Sequence, residues 1–511
     1  MKRLESYKKL LADPRMGSES SGWSVCYHGF GPLAIQMFHP FLKLNTAVCF
    51  FDGEEVQKHA VEGLGAKIFT YERIKGVRHN AYNLFDQYFF NDHANEIARA
   101  IYASGGNHIA FVPFNSTPAL ESFLFEHASN VLLAQDPVVV RSYFEDKLRL
   151  ALHADEMGVP LPPQAQVEFF CNLDYDKLSY QYPEGFVMQV PISQQGVGTY
   201  FVFSKDEFDK TLSDEKNIRG DFFERTRVKI TPFLNGPSLN STAVVLHGAV
   251  ALSPVDIQIV GDSRFVSLRG QYIGSDFSYP IDKNLQKEVH SIMKKVGRWL
   301  GQHGYRGNFG IDFLTTMNFD GSIRQIFVSE INARLVGESQ YMADFMAMQD
   351  IVPLIWFHIA EYLNWEASPN EIEAYNNTVR PVRGAALILY TRKKGIFSAS
   401  GGLKSGVYEL PPPGKETENL KRIRDGWTLS DTKNDNEFVL TNGVPLEDTV
   451  IGHPRYGDFE IPLFYIETRE SIVDINDPRR VNDRWVRIAE KVESAIGLTP
   501  TEPRSLRGSF H

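Results

Sequence analysis

From Trp23 onward, apolar runs of strand length alternate with longer segments of helical pattern. WSVCYHGFG predicts a strand running into a Gly turn, and NTAVCFFDG predicts a second strand ending at Asp52-Gly53. EEVQKHAVEGLGAKIFTY reads as a helix, a Gly break and a strand, and NDHANEIARAIYASGG as an amphipathic helix. HIAFVPFNST is a strand opening into a polar loop. Strands alternating with helices at this spacing predict βαβ units and a parallel sheet. PVVVRSYFEDKLRLALHADEMGVPLPP then predicts one helix, stopped by Gly158 and followed by a Pro-rich passage.

The pattern changes beyond that point. GFVMQV and TYFVFS predict a hairpin around the loop Pro191-Ile192-Ser193-Gln194-Gln195-Gly196-Val197-Gly198. SKDEFDKTL opens a capped helix, and VKITPFL is a strand ending in a turn. LNSTAVVLHGAVALSPVDIQIV is antiparallel in pattern, turning at His247-Gly248, and a helix follows from Lys283 to His303. After Asp350 come an apolar helix (IVPLIWFHIAEYL), a strand (RGAALILY), a Gly-rich turn at Ser400-Gly401-Gly402 and a Pro cluster at Pro411 to Pro413. A last helix, DRWVRIAEKVESAIGL, leads into a polar tail expected to be loose.

Composition narrows the function classes. The chain has 511 residues, 43 % of them hydrophobic, enough for several cores. Its 53 basic and 63 acidic residues give a net charge of −10, which argues against a basic nucleic-acid footprint. Cys26, Cys49 and Cys171 are isolated, so neither a disulfide framework nor a zinc site is expected. No stretch is long and apolar enough to span a bilayer, and MKRLESYKKLLADPRMGSES has no secretory apolar core. A cytoplasmic enzyme or binding protein is the expectation.

The densest chemistry lies in GYRGNFGIDFLTTMNFDGSIRQIFVSEINARLVG, residues 304–337. An apolar strand carries Asp312, a turn follows at Asn318, Asp320 and Gly321, and a second strand leads into Glu330-Ile331-Asn332-Ala333-Arg334. Side chains alternate along a strand, so Glu330, Asn332 and Arg334 share a face, which Asp312 joins if the two strands pair. Two carboxylates, an amide oxygen and a guanidinium are the donor set expected for Mg²⁺ carrying nucleotide phosphates. A solvated polar hairpin face would use the same residues. Three further elements are individually weak. The glycine loop Ser193 to Thr199 is able to cradle an anion, Lys147 follows Asp146 at a helix start, and Lys229-Ile230-Thr231-Pro232-Phe233-Leu234 ends a strand with free backbone groups.

Taken in order, these elements resemble the ATP-grasp superfamily of carboxylate–amine/thiol ligases, over roughly residues 136–345 and with GNFGIDF and SEINAR as the most specific match. The resemblance implies an α/β and α+β protein: a parallel βαβ pre-ATP-grasp domain (1–135), an ATP-grasp domain of two α+β subdomains (136–350, lid about 160–230) and a C-terminal α+β region (351–511). It implies ATP with one or two Mg²⁺, or Mn²⁺. Asp312, Glu330 and Asn332 would be the metal ligands, and Arg334 would hold the transferred phosphate or the carboxylate substrate. Lys147 would hold ATP, Gly196 and Gly198 would form the flap over the phosphates, and Phe233 and Leu234 would be the adenine-hinge positions.

The pattern departs from the family at Gln189, which stands where a second phosphate-binding lysine usually falls. It departs again in Thr231-Pro232-Phe233-Leu234, which lacks the usual acidic residue. The expected activity is ADP-forming ligation of an amino-acid or peptide carboxylate to an amine through an acyl phosphate; many relatives dimerise, which leaves a homodimer open without setting the oligomeric state. A thiol or carboxylation-type acceptor, or a catalytically idle nucleotide sensor or scaffold, are the alternatives. Arg306, Arg269 and Glu338 lie near the motifs; contact with substrate is open to them, and ordinary surface roles are the expectation.

Overall fold

In a computed structural model of the protein, residues 22–501 are described except 39–41, 55, 81, 104–107, 194–195, 319–320, 366, 393, 417 and 453–459. The charged N-terminal segment, Gln194, Gln195, Asp320 and the polar tail lie outside the described residues. The first strands are β1 (Trp23–Gly29), β2 (Lys43–Cys49), β3 (Lys67–Thr70), the short β4 (Val77–Arg78), β5 (His108–Pro113) and β6 (Val131–Leu133). Five of them form the expected parallel sheet, in the order β3-β2-β1-β5-β6. Its three central strands, β2, β1 and β5, are buried along most of their length, as helix-covered parallel strands are. The stretch expected as a helix after Asp52 is wound as a π-helix over Val56–Gly63.

Between this sheet and the rest, the sequence pattern predicts one helix up to Gly158, and the structure has two, Val138–Glu145 and Lys147–Met157. Asp146 breaks the run. Its backbone is extended (φ −68°, ψ 112°) and its carboxylate accepts the Leu148 amide, so it caps the second helix. The break frees the Lys147 N–H to donate to Pro191 O at 2.9 Å, tying the helix start to the glycine loop.

Four strands, β7 (Gln166–Phe169), β8 (Phe186–Gln189), β9 (Thr199–Val202) and β10 (Arg227–Pro232), form an antiparallel sheet in the order β7-β10-β8-β9. The helix Lys205–Arg219 packs on it, with Ser204 accepting the Glu207 amide as predicted for its cap. Next come β11 (Ser238–Leu246), β12 (Ala249–Val260), β13 (Tyr272–Asp276), β14 (Gly307–Met317) and β15 (Ile323–Asn332). β11 turns into β12 at His247 and Gly248, whose φ of 47° and 80° suit a tight hairpin turn. The chain then adds β16 (Ala385–Tyr390), β17 (Phe397–Ser398), β18 (Gly406–Glu409), β19 (Arg422–Arg424), β20 (Glu437–Thr441), β21 (Val450–Ile451), β22 (Pro462–Thr468) and β23 (Thr499–Pro500).

Ten of these later strands form one sheet, β15-β14-β11-β12-β13-β16-β22-β20-β18-β19, so strands from both sides of residue 350 share a hydrogen-bonded ladder. The helix Lys283–Gln302 buries Val289, Ile292, Met293, Val296 and Leu300 in the core beneath this sheet. A small sheet, β23-β17-β21-β4, ties the last strands to the N-terminal region, where β21 runs parallel to β4. Among the described residues, no helix is long and apolar enough to cross a membrane.

Candidate active site

A cavity of about 740 Å³ lies where the four-stranded sheet, the ten-stranded sheet and the carboxyl ends of the parallel strands meet. β14 and β15 pair antiparallel with Asp312 directly opposite Glu330, so the two carboxylates share one face of the hairpin. Asn332 and Arg334 line the same cavity, as do Lys147, Gln189, Gly196, Phe233 and Leu234. Gly198 is not among its lining residues; its φ of 74° and its carbonyl, which accepts the Val190 amide at 3.0 Å, shape the loop instead.

The donors around each carboxylate differ. Lys147 Nζ sits 2.9 Å from Glu330 Oε2 and also donates to Ser193 O and Oγ at 3.3 and 3.4 Å, joining the hairpin to the glycine loop. Burial pushes Glu330 up, but Lys147, Arg334 and Lys229 together hold it below its ordinary value. Asp312 has only amide donors: Asn240 and Gln258 reach Oδ1 at 2.7 and 3.1 Å, and Asn332 Nδ2 reaches Oδ2 at 3.3 Å. Burial, then the neighbouring Glu330 charge, pushes Asp312 up to about 7. Among the described residues no three His, Cys, Asp or Glu side chains converge as a ready metal centre, so phosphate oxygens would have to complete the coordination of an ion here. The donor set, two hard carboxylates and the Asn332 amide, fits Mg²⁺ arriving with a nucleotide.

Arg334 is held in place. Its Nη2 donates to Asn332 Oδ1 at 2.8 Å, its Nε lies 3.1 Å from Glu145 Oε1, and its guanidinium stands 5.8 Å from the Phe114 ring. Glu145 in turn pairs with Arg141.

Several functional positions escaped the sequence reading. Lys229 lies directly opposite Gln189 in the β10–β8 pair, fully buried, and donates to Ser329 O at 2.7 Å. Burial and then Lys147 lower it to about 7. An amine group thus stands on the strand beside Gln189, behind the cavity lining and given to Ser329; only the alternation of β10 hinted at it. Glu338 is no surface residue: it is 2 % exposed, lines the cavity, and is pushed up to about 7 by burial and Asp312. Arg269 also lines the cavity, over Phe203 at 4.9 Å and within 3.9 Å of Glu207, whereas Arg306 keeps a half-exposed place beside Asp136.

Two apolar regions flank the charged centre. Phe201 and Phe203 lie 6.2 and 4.9 Å from Phe233, making an aromatic wall at the hinge. The Phe233 N–H is already given to Gly185 O at 2.9 Å, which leaves the Phe233 carbonyl and Leu234 for a base edge. On the other side, Phe30, Phe51 and Phe114 stand just past the ends of β1, β2 and β5, where parallel sheets commonly bind ligands. The flap approaches closely: a Cβ on Gly196 (φ 76°) would lie 2.6 Å from the Gly270 backbone.

No family model matches the chain. It is 27 % identical over 181 residues to the [butirosin acyl-carrier protein]–L-glutamate ligase of Niallia circulans, a match covering 33 % of this chain and 38 % of that protein's length. Solved structures give a wider likeness. Biotin carboxylase from Campylobacter jejuni, in a βγ-ATP complex, matches with a TM-score of 0.56 at 14 % identity, over 88 % of this chain and 87 % of its own. The biotin carboxylase domain of Hydrogenobacter thermophilus 2-oxoglutarate carboxylase, bound to MgADP, ADP and bicarbonate, matches with a TM-score of 0.53 at 12 % identity, over 88 % and 86 %. Fold likeness along most of the chain agrees with the order of motifs in its sequence: the chain shares the fold of these biotin carboxylases, an ATP-grasp fold.

Proposed function

We propose that the chain is an ATP-dependent ligase that activates the carboxylate of an amino acid or peptide as an acyl phosphate and joins it to an amine. The observation that carries the reading is the opposed Asp312–Glu330 pair, tied by Lys147 to the glycine loop at the floor of a cavity large enough for a nucleotide and a second substrate. The adenine would lie against Phe201, Phe203 and Phe233. Mg²⁺ held by Asp312, Glu330 and Asn332 would neutralise phosphate charge and so ease attack on the γ-phosphate.

The side chains account for the rest. Lys147 and Lys229 place positive charge beneath the phosphates. Arg334, fixed by Asn332 and Glu145, orients the transferred phosphoryl group or the carboxylate that receives it. A substrate carboxylate oxygen attacks the γ-phosphorus and ADP leaves. The nitrogen of the neutral amine then attacks the acyl carbon, the acyl–oxygen bond to phosphate breaks, and the departing inorganic phosphate takes up the proton that the nitrogen loses. The flap, pinned where Gly196 meets Gly270, would keep water from the acyl phosphate. The Niallia circulans relative is named as a ligase of glutamate and an acyl-carrier protein, which supports ligation of an amino-acid carboxylate. Gln189 favours an idle nucleotide sensor because it removes a charge; Lys229 beside it weighs against that reading.

The test is ADP release from ATP and Mg²⁺ with a pool of amino acids and short peptides, Glu330→Ala serving as control. ADP that requires both an acyl donor and an amine, and is lost in the variant, supports the ligase. Nucleotide binding with no turnover across the pool supports the sensor.

A further inference from the structure

The carboxylate row does not stop at Asp312. Across the ten-stranded sheet, Glu330 faces Asp312, Asp312 faces Asn240, and Asn240 faces Asp256, so four polar side chains lie in register over β15, β14, β11 and β12. Asn240 gives its Nδ2 to Asp312 and leaves its Oδ1 without a partner. Asp256 Oδ2 also has none, and both residues are only 1 % exposed. Glu338 enters from beyond Arg334, with Oε1 accepting the Thr242 hydroxyl at 3.0 Å. Its charge is, after burial, the main influence raising Asp256. The neighbouring Tyr272 hydroxyl is shared with Ser275 and Tyr341. Lys147, the nearby ammonium, is spent on Glu330.

Buried acceptors without donors need an occupant. Here the Asn240 amide lies in register with Asp256, Glu338 is close enough to act on Asp256 electrostatically, and Glu338 and Asn240 open onto the cavity that holds Asp312 and Glu330, with Asp256 behind them. The Ser275 hydroxyl serves Asp256 and the Thr242 hydroxyl serves Glu338, but the Asn240 and Asp256 oxygens left over call for a ligand rich in donors, and a primary ammonium offers three N–H groups and one positive charge. We infer that Asp256, Glu338 and the Asn240 amide oxygen seat the ammonium group of the amine substrate, next to the carboxylates where the acyl phosphate forms. The assignment rests on the carboxylate–amine reading above and adds to it which substrate half lies toward β12.

The probe is n-propylammonium, with n-propanol as its neutral counterpart, followed by saturation-transfer NMR on the full chain loaded with Mg²⁺ and AMP-PNP. Saturable propylammonium binding, no propanol binding, and affinity weakened about thirtyfold or more in both Asp256→Asn and Glu338→Gln are expected, since each removes one partner of a buried charge pair. Both variants keep side-chain size, and AMP-PNP binding with a cooperative melt shows that each is folded. Propanol binding as well as propylammonium, or undiminished propylammonium binding in folded Asp256→Asn, overturns the assignment; Asp256 is then a neutral acid bonded to Asn240. AMP-PNP binding without any propylammonium binding also overturns it and leaves the ligase reading standing. Failure of the wild-type chain to bind AMP-PNP overturns both.

Discussion

Asp312→Asn should stabilise the metal-free protein and disable it, and pH should separate the two effects. Moving a carboxyl from 3.8 to about 7 corresponds to about 4 kcal/mol against its charged form. The sign follows from linkage. The folded carboxyl holds its proton while the unfolded one has lost it, so stability falls as pH rises from about 4 to about 7 and the full cost is present above that window. Asparagine removes this cost and its oxygen keeps the Asn240 and Gln258 donors, but its NH₂ then meets the Asn332 Nδ2 donor, a loss of about 2 kcal/mol. The net expectation is a gain of about 2 kcal/mol at pH 8 and about none at pH 5, or about 2 °C in melting midpoint at the higher pH for a chain of this length. Melting curves of both proteins at pH 5 and pH 8, with chelator and then with Mg²⁺ and ATP, give the comparison. With Mg²⁺ and ATP the order reverses, because the wild type gains a bound cation and the variant does not. An equal change at both pH values, in either direction, would refute the electrostatic account of the pair.

Lys229→Met should weaken ATP binding by about tenfold or more, read by calorimetry, through loss of a charged donor. It should also raise the melting midpoint at pH 7, because a lysine lowered to about 7 carries its full folding penalty there, a penalty that disappears as pH rises toward 10.5. Gly196→Ala should cost about 1–2 kcal/mol of flap closure, since alanine is strained at φ 76° and its Cβ would meet Gly270 at 2.6 Å. The expected reading is a raised KM for ATP with little change in global melting. Arg334→Lys keeps the charge but cannot span Asn332 and Glu145 together, so ADP formation should fall about a hundredfold with nucleotide affinity nearly kept.

The parts of the site legible in the sequence are the local ones. Asp312 and Glu330 are joined by a short turn, so alternation along two strands was enough to bring them face to face. The glycine loop was legible because it sits inside a hairpin. Lys147 acquired meaning only from its order among the other motifs, and the same pattern concealed the break at Asp146 because the residues on both sides are helix formers. Asn240, Gln258, Asp256 and Lys229 were illegible for one reason: each reaches the site through strand pairing, and a one-residue slip in register would have turned it to the other face. Glu338 was misjudged because six residues separate it from Asn332 and nothing local shows that the chain folds back beneath Thr242.

The ladder through β13 and β16 bears on how the protein can be cut. Gly274, Ser275 and Asp276 pair with Leu387, Ala386 and Ala385, and Asp276 accepts the amides of Ile472 and Val473. A chain ending near residue 350 would retain every residue of the candidate metal and phosphate site yet expose β13 as a raw edge, with one oxygen of the buried Asp276 carboxylate stripped of its donors. Such an edge invites pairing with another molecule. The shortened protein should therefore aggregate rather than turn over slowly, and a search for a minimal active fragment should begin by keeping β16 and β22.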